Sequence, residues 1–434
     1  MKSRMYIVFF AALIICSAWG VYFSQNIVEK KETKPLLLSD NDSNLIENLL
    51  KTRPDLFQKI LNNISGYEVQ IIYTQINRDK NNIPSFKQYR YRVNSNHYFY
   101  AASLVKLPCS ALALEKINKL NIQGFDKYTC MQTDSAFTCQ KKIKEDSTAE
   151  NKIPSIAQYI KRMMLVSDND AYSRIYEFLG QEYINQRLHE MGYPDAMIIH
   201  RFDSECNTAA NACTNPVSFY NSNGDCIYKQ ELQYNKNACS NPLGTVKKGK
   251  GYINEKGKLV LQPKDYTYYN YLNLQDITDI LHSIIFPGSV PDKKRFHLKD
   301  DDYRFLYKYM SMYPRESDFP KYDPKKFEDS YKKYFIYGSY HEKIANDSIR
   351  IFNIVGQSYG YLSDCAYIIN PEKKTEFMLS AVIYTNEDGI INDGKYEYTT
   401  VGFPFLTNLG KLFYDYEIKR KKQFLPDLLS FQLK

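Results

Sequence analysis

Ser103 and Lys106 are two side chains whose types and spacing could carry out covalent catalysis. They stand three residues apart at the start of an apolar segment, and residues at that spacing share one face of a helix. A serine hydroxyl is a poor nucleophile at neutral pH until a base within hydrogen-bond reach takes its proton. A lysine amine can be that base if burial or nearby positive charge lowers its pKa. Taken alone, the pattern is equally typical of a helix start followed by a solvated lysine.

A second element with catalytic potential is the tripeptide Ser167-Asp168-Asn169, which separates two helical segments. Helix capping is the simpler explanation for a serine and an aspartate at such a position. The same tripeptide at 39–41 lies in a polar N-terminal stretch, where we expect capping only. What distinguishes the later copy is its order in the chain, after the Ser103 helix and before a strand-rich C-terminus.

Two further segments frame these elements. Residues 67–76 and 86–93 alternate apolar and polar side chains like the strands of a hairpin, and a helix over roughly 104–120 follows Ser103. Ser330 and Lys333 repeat the S-x-x-K spacing in a polar run, and we assign that copy no role.

With S-x-x-K and S-D-N in this order, the chain resembles the class A β-lactamase and penicillin-binding-protein superfamily, whose signature also includes K-T-G. The similarity covers about residues 60–205 and 345–420. It implies an α+β fold of three α/β/α layers: an antiparallel five-stranded sheet flanked by helices, plus an all-α lobe that carries S-D-N. It also implies catalysis without a metal or other cofactor.

The resemblance further assigns roles to individual residues. Ser103 would be the acylated nucleophile, Lys106 the base, Ser167 the proton relay and Asn169 a substrate-binding residue. At the third motif the chain reads Ile354-Val355-Gly356, without the lysine that helps the family to hold a substrate carboxylate.

The absence of the motif lysine predicts that a substrate carboxylate is bound weakly, unless Lys343, Arg350 or an arginine from an insertion supplies a positive charge. Gly356 and Gln357 still fit an edge strand whose backbone N–H completes an oxyanion hole with that of Ser103.

Glu205 is the candidate for the base that activates a hydrolytic water. It stands in the segment R-F-D-S-E-C-N, two residues before Asn207. The family spaces its glutamate and asparagine further apart, so a solvated loop carboxylate is the alternative interpretation.

The N-terminus is typical of an exported protein. Lys2 and Arg4 precede an apolar run that ends in small residues at Gly20, which predicts a signal peptide over 1–20 or an uncleaved membrane anchor. We expect residues 21–60 to be a linker with one amphipathic helix. We expect residues 61–434 to form the catalytic unit, with insertions at about 206–264, 287–345 and 387–398.

The cysteines agree with a periplasmic or otherwise exported protein. Nine are present, and removal of Cys16 would leave eight. Cysteines close together in polar loops at 130–139 and 206–239 predict disulfides in an oxidising compartment, although the sequence does not give their connectivity. Cys109 and Cys365 stand in apolar segments and are expected to be buried. The spacing of cysteines and histidines is poor for a metal site.

The composition leaves three functions open. The net charge of +8 is dispersed along the chain, and we find no nucleic-acid-binding module. The first hypothesis is a serine hydrolase that acts on a small β-lactam or a related amide. The second is a D-alanyl-D-alanine carboxypeptidase or another cell-wall peptidase acting on a peptidoglycan-derived substrate. The third is a non-catalytic binding protein on the same fold.

Overall fold

The computed structural model describes residues 44–137, 139–202, 206–237, 239–341, 343–344 and 348–432. The chain from Ser43 onward forms one compact unit. The predicted signal peptide or anchor and Glu205 lie outside the described residues.

The helices of two or more turns and the strands are numbered in chain order. The helices are α1 (Asn44–Lys51), α2 (Pro54–Asn62), α3 (Lys106–Leu120), α4 (Ile156–Val166), α5 (Asn169–Leu179), α6 (Gln181–Glu190), α7 (Leu274–Ile285), α8 (Asp300–Ser311) and α9 (Phe403–Lys419). The strands are β1 (Gln70–Arg78), β2 (Pro84–Tyr91), β3 (Cys130–Thr133), β4 (Val217–Tyr220), β5 (Cys226–Gln230), β6 (Lys247–Lys248), β7 (Gly251–Ile253), β8 (Leu259–Val260), β9 (Lys264–Asp265), β10 (Arg350–Ser358), β11 (Tyr361–Asn370), β12 (Thr375–Tyr384) and β13 (Ile390–Ile391).

The central sheet has five strands in the order β10-β11-β12-β1-β2, and every neighbouring pair is antiparallel. The predicted hairpin is present as β1 and β2, joined by a turn in which the Asp79 carboxylate accepts the backbone N–H groups of Asn81 and Ile83. The predicted fold, an antiparallel five-stranded sheet between helices with an all-α lobe, is confirmed.

Helices cover both faces of this sheet. One face packs against α1, α2 and α9, where the rings of Phe57 and Phe405 meet edge to face. The other face packs against α3 and α7, and its core continues into the lobe formed by α4, α5, α6 and α8. Because neither face meets water, β11 is buried along its whole length and β12 along nearly all of it. The lobe thereby places its α4–α5 turn against the start of α3.

The segment predicted to hold one linker helix contains two, α1 and α2. Pro54 begins the second helix, and the residue before a proline is disfavoured in helical conformation. Arg53 accordingly has φ −128° and breaks the run. Ile46, Leu50 and Phe57 are buried under the sheet, so these helices contribute to the core of the catalytic unit.

The structure gives a disulfide connectivity that the sequence left open. The described disulfide joins Cys139 to Cys206, so it links the two cysteine-bearing loops and does not close either one. Cys130, at the start of β3, is free. Cys109 and Cys365 are free and buried, as predicted.

Within the part of the chain that the structure describes, no helix combines the length and apolar composition needed to cross a bilayer.

Candidate active site

Ser103 lies in a 3₁₀ turn, Ala102–Val105, that leads without a break into α3. The residue before it, Ala102, has φ +45°, a left-handed conformation that a residue with a Cβ adopts at a cost of about 1–3 kcal/mol. Such strain persists only where the surrounding packing enforces it, and it is concentrated at functional sites. Ala101 and Leu104 are fully buried and hold the turn.

Lys106 is fully buried at the first position of α3. Its ammonium donates to the backbone carbonyl and to the hydroxyl of Ser167, the latter at 3.1 Å, and to Oδ1 of Asn169 at 2.6 Å. It also lies 5.3 Å from the centre of the Phe202 ring. The structure therefore brings together the two sequence elements that were singled out for their chemistry.

The turn between α4 and α5 explains how Ser167 reaches the site. Ser167 ends α4 in a left-handed conformation, φ 58° and ψ 38°. The next residue, Asp168, caps α5 by accepting the N–H of Ala171 at 2.9 Å, and the Arg162 guanidinium holds the same carboxylate at 2.9 Å. Capping therefore belongs to Asp168, which leaves the Ser167 hydroxyl for Lys106.

Strand β10 passes close to the serine turn because Gly356 has no side chain. A Cβ at this position would lie 2.7 Å from the carbonyl oxygen of Ala101 and 2.6 Å from Oγ of Ser363. Both contacts are shorter than real Cβ atoms make, so glycine is required for this approach. The neighbouring Ile354 is fully buried in the core.

Two cavities meet at Ser103, and Asn169 and Gln357 line both. The serine cavity, of about 470 Å³, extends toward Ser330 and Lys332. The tyrosine cavity, of about 680 Å³, extends in the other direction. It is lined in part by Tyr100, Tyr268, Tyr269 and Tyr359. An extended ligand could therefore reach both sides of the nucleophile.

The predicted base Glu205 lies outside the described residues, but the chain on both of its sides is held in place. Before it, the Arg201 guanidinium pairs with both carboxylate oxygens of Glu177 at 2.7 and 2.8 Å. After it, Cys206 forms the disulfide with Cys139. Burial lowers the pKa of the nearby His200 to about 4, so its ring is neutral at neutral pH.

Sequence reasoning missed Lys332, which lines the serine cavity although its side chain is buried. Its ammonium donates to the carbonyls of Met163 at 3.1 Å and Met164 at 2.8 Å, in the last turn of α4. Burial lowers its pKa to about 7, opposed by the carboxyl of Asp364. The sequence offered only a pair of lysines in a polar run, and we had assigned the nearby Ser330 no role.

The two alternatives considered for the missing charge lie elsewhere. Arg350 pairs with both carboxylate oxygens of Glu316 at 3.0 Å. Lys343 is exposed. Neither belongs to the described lining of the serine cavity.

Comparisons with known proteins identify the family of the chain. The model of a family described as "Beta-lactamase enzyme family" matches residues 55–282, more than half of the chain. The comparison with curated proteins finds no match.

Several solved structures are similar to the chain at a distance. A beta lactamase from Xanthomonas campestris pv. campestris is 11% identical over 85% of this chain and 98% of its own, with a TM-score of 0.44. A beta-lactamase from Streptomyces albus G is 11% identical over 85% and 99%, with a TM-score of 0.43. PBP-A is 12% identical over 83% and 96%, with a TM-score of 0.45.

Proposed function

Because the chain belongs to the beta-lactamase enzyme family, we propose that it is an exported serine hydrolase that forms an acyl-enzyme on Ser103. The substrate would be a β-lactam or a related amide. The observation that carries the proposal is the position of Lys106. Its ammonium contacts Ser167 and Asn169, and these two residues line the same cavity as Ser103.

Acylation would begin when the Ser103 oxygen attacks the substrate carbonyl and its proton passes to Lys106 in the neutral form. The oxygens of Ser167 and Asn169 around the amine would stabilise the ammonium that results. Ser167 would relay the proton to the leaving nitrogen as the C–N bond breaks. Backbone N–H groups of Ser103 and Gln357 would stabilise the negative charge on the carbonyl oxygen.

Deacylation needs a water molecule and a base, and we assign Glu205 as that base. Water would attack the ester carbonyl, lose its proton to the carboxylate and regenerate the Ser103 hydroxyl. The Arg201–Glu177 ion pair and the Cys139–Cys206 disulfide, which hold the chain on either side, support this assignment.

Labelling with a fluorescent penicillin tests the nucleophile. We expect peptide mass mapping to place the adduct on Ser103 and Ser103→Ala to abolish it. Ser330→Ala is the matched control, because Ser330 lines the same cavity and stands in the other S-x-x-K segment. An adduct on a different serine, or undiminished labelling of Ser103→Ala, would refute the proposal.

The lifetime of the adduct then separates the candidate activities. Rapid release with continued turnover assigns a β-lactamase. A long-lived adduct, together with release of D-alanine from a D-alanyl-D-alanine peptide, assigns a cell-wall peptidase. A protein that binds penicillin without forming any adduct would be a binding protein.

A further inference from the structure

Lys332 presents an unusual combination of burial and position. Its side chain is 2% exposed, yet the residue forms part of the wall of the serine cavity opposite Ser103. An ammonium has three N–H donors, and the described hydrogen bonds of Lys332 use two of them, to Met163 and Met164. The Met163 carbonyl also accepts the backbone N–H of Ser167 at 3.0 Å. The ammonium is therefore separated from Ser167 by a single carbonyl group.

Burial disfavours the positive charge of Lys332, and the carboxyl of Asp364 opposes that effect only in part. On β11, Asp364 is fully buried, and burial raises its pKa to about 7. It accepts hydrogen bonds from Asn353 and from the N–H of Phe335. On the same turn as Lys332, Lys333 is bound to the carbonyls of Met310 and Ile351, and burial lowers its pKa well below the usual value.

Two further titratable groups, Glu328 and His341, lie at the cavity wall and pair with each other at 3.1 Å. Of the described residues that line the cavity, only Lys332 carries a lysine or arginine side chain.

We propose that Lys332 binds an anionic group of the substrate, a carboxylate, in the serine cavity. A buried cation attracts an anion far more strongly than a solvated one does, because the low-dielectric surroundings do not screen the charge. This inference rests on the proposed function, since it names the part of the substrate that is held while Ser103 reacts.

Carboxylate binding at Lys332 would be linked to a proton. In the empty cavity burial lowers the pKa of the lysine to about 7, and a bound carboxylate raises it, since the opposite charge favours the protonated form. Affinity for the anion is therefore full below about pH 7 and falls as the pH rises above that value. A neutral ester of the same molecule gains nothing from the proton, so its affinity is independent of this titration.

The test measures equilibrium binding of benzylpenicillin and of its methyl ester to the Ser103→Ala protein, where acylation cannot interfere. We expect the acid to bind roughly 10- to 100-fold more tightly than the ester at about pH 6, the scale of a charge-assisted hydrogen bond. We expect Lys332→Met to abolish that preference. Lys333→Met is the matched control, because this lysine is equally buried on the same turn but does not line the cavity, and it should keep the preference.

A second measurement does not depend on the folding of Lys332→Met. In the Lys332-containing protein the preference for the acid should shrink about tenfold or more between about pH 6 and about pH 8.5. His341 also lines the cavity, and His341→Gln should leave this pH dependence intact. The inference is overturned if acid and ester bind equally, if neither binds, or if the preference survives Lys332→Met. If the preference and its dependence on Lys332 are found but Ser103 is never acylated, the proposed function fails and the anion site stands.

Discussion

Lys106 is fully buried, and a buried charge without partners is costly. The oxygens of Ser167 and Asn169 offset that cost. The same contacts place the amine where it can exchange a proton with Ser167, so one set of hydrogen bonds serves both stability and the proposed chemistry. Lys332 is also buried, but its ammonium donates to backbone carbonyls of a helix. A carbonyl accepts a hydrogen bond but, unlike the Ser167 hydroxyl, has no proton of its own to relay.

Replacement of Lys106 by methionine should slow acylation of Ser103 by about 10² or more, the usual loss when a general base is removed. Stopped-flow measurement of adduct formation would give the rate. Lys116→Met is the matched control on the same helix, because this lysine is also largely buried and bonds to Phe178 and Gln230. Acylation at the wild-type rate in Lys106→Met would reject its role as base.

At the scale of elements, the site depends on how closely β10 approaches the turn before α3. The turn carries Ser103, the proposed nucleophile, and the strand carries Gln357. Gly356 sets their separation, since any side chain there would strike the Ala101 carbonyl. Ala102, whose φ is strained, directly follows the Ala101 carbonyl that Gly356 approaches. The strand and the turn therefore hold each other in position.

The substitution Gly356→Ala should therefore impair both stability and acylation. Overpacking of this kind costs about 1–3 kcal/mol, and the forced separation would move Gln357 away from Ser103. Urea denaturation and labelling rate measure the two effects. Gly288→Ala is the control, because a Cβ there meets nothing within 4 Å. An unchanged labelling rate in Gly356→Ala would show that the oxyanion site does not depend on this approach.

At the scale of the whole molecule, the Cys139–Cys206 disulfide connects segments 67 residues apart in the sequence. It joins the loop after β3 to the chain that follows Glu205. In the enclosed segment lie α4, α5 and α6, so the bond restrains the helical lobe. A disulfide of this kind fits an oxidising compartment.

Loss of this disulfide should lower the free energy of unfolding by about 2–4 kcal/mol, because a long loop in the unfolded chain is no longer constrained. Denaturant titration of Cys139→Ser and Cys206→Ser would measure it, with Cys226→Ser, an exposed free cysteine, as control. Non-reducing peptide mapping of exported material should recover the Cys139–Cys206 peptide. If both cysteines are free there, the prediction of a disulfide-bonded exported protein is wrong.

Several features followed from the sequence because they depend on residues close together in the chain. Alternation over β1 and β2 predicted the hairpin, and the apolar run after Ser103 predicted α3. Residue type and spacing marked the S-x-x-K and S-D-N segments as candidates, and their order in the chain, with the resemblance it carries, assigned them roles. Pro54 was a local signal that the N-terminal helix is divided, and the expectation of one helix overlooked it. That both halves pack on the sheet could not be foreseen, since burial is decided by distant partners.

The sequence by itself indicated the hairpin, the helix after Ser103 and the pair Ser103 and Lys106, whose relation is fixed within one helical turn, and the resemblance of its motifs implied the fold class. Only the tertiary structure showed that the second S-x-x-K segment brings Lys332 to the cavity that Ser103 lines. It also decided that Cys139 pairs with Cys206 and not with the nearer Cys130. Each of these outcomes depends on how the insertions fold back onto the sheet. Such long-range contacts are selected by the packing of the complete core and leave no periodic signal in the chain.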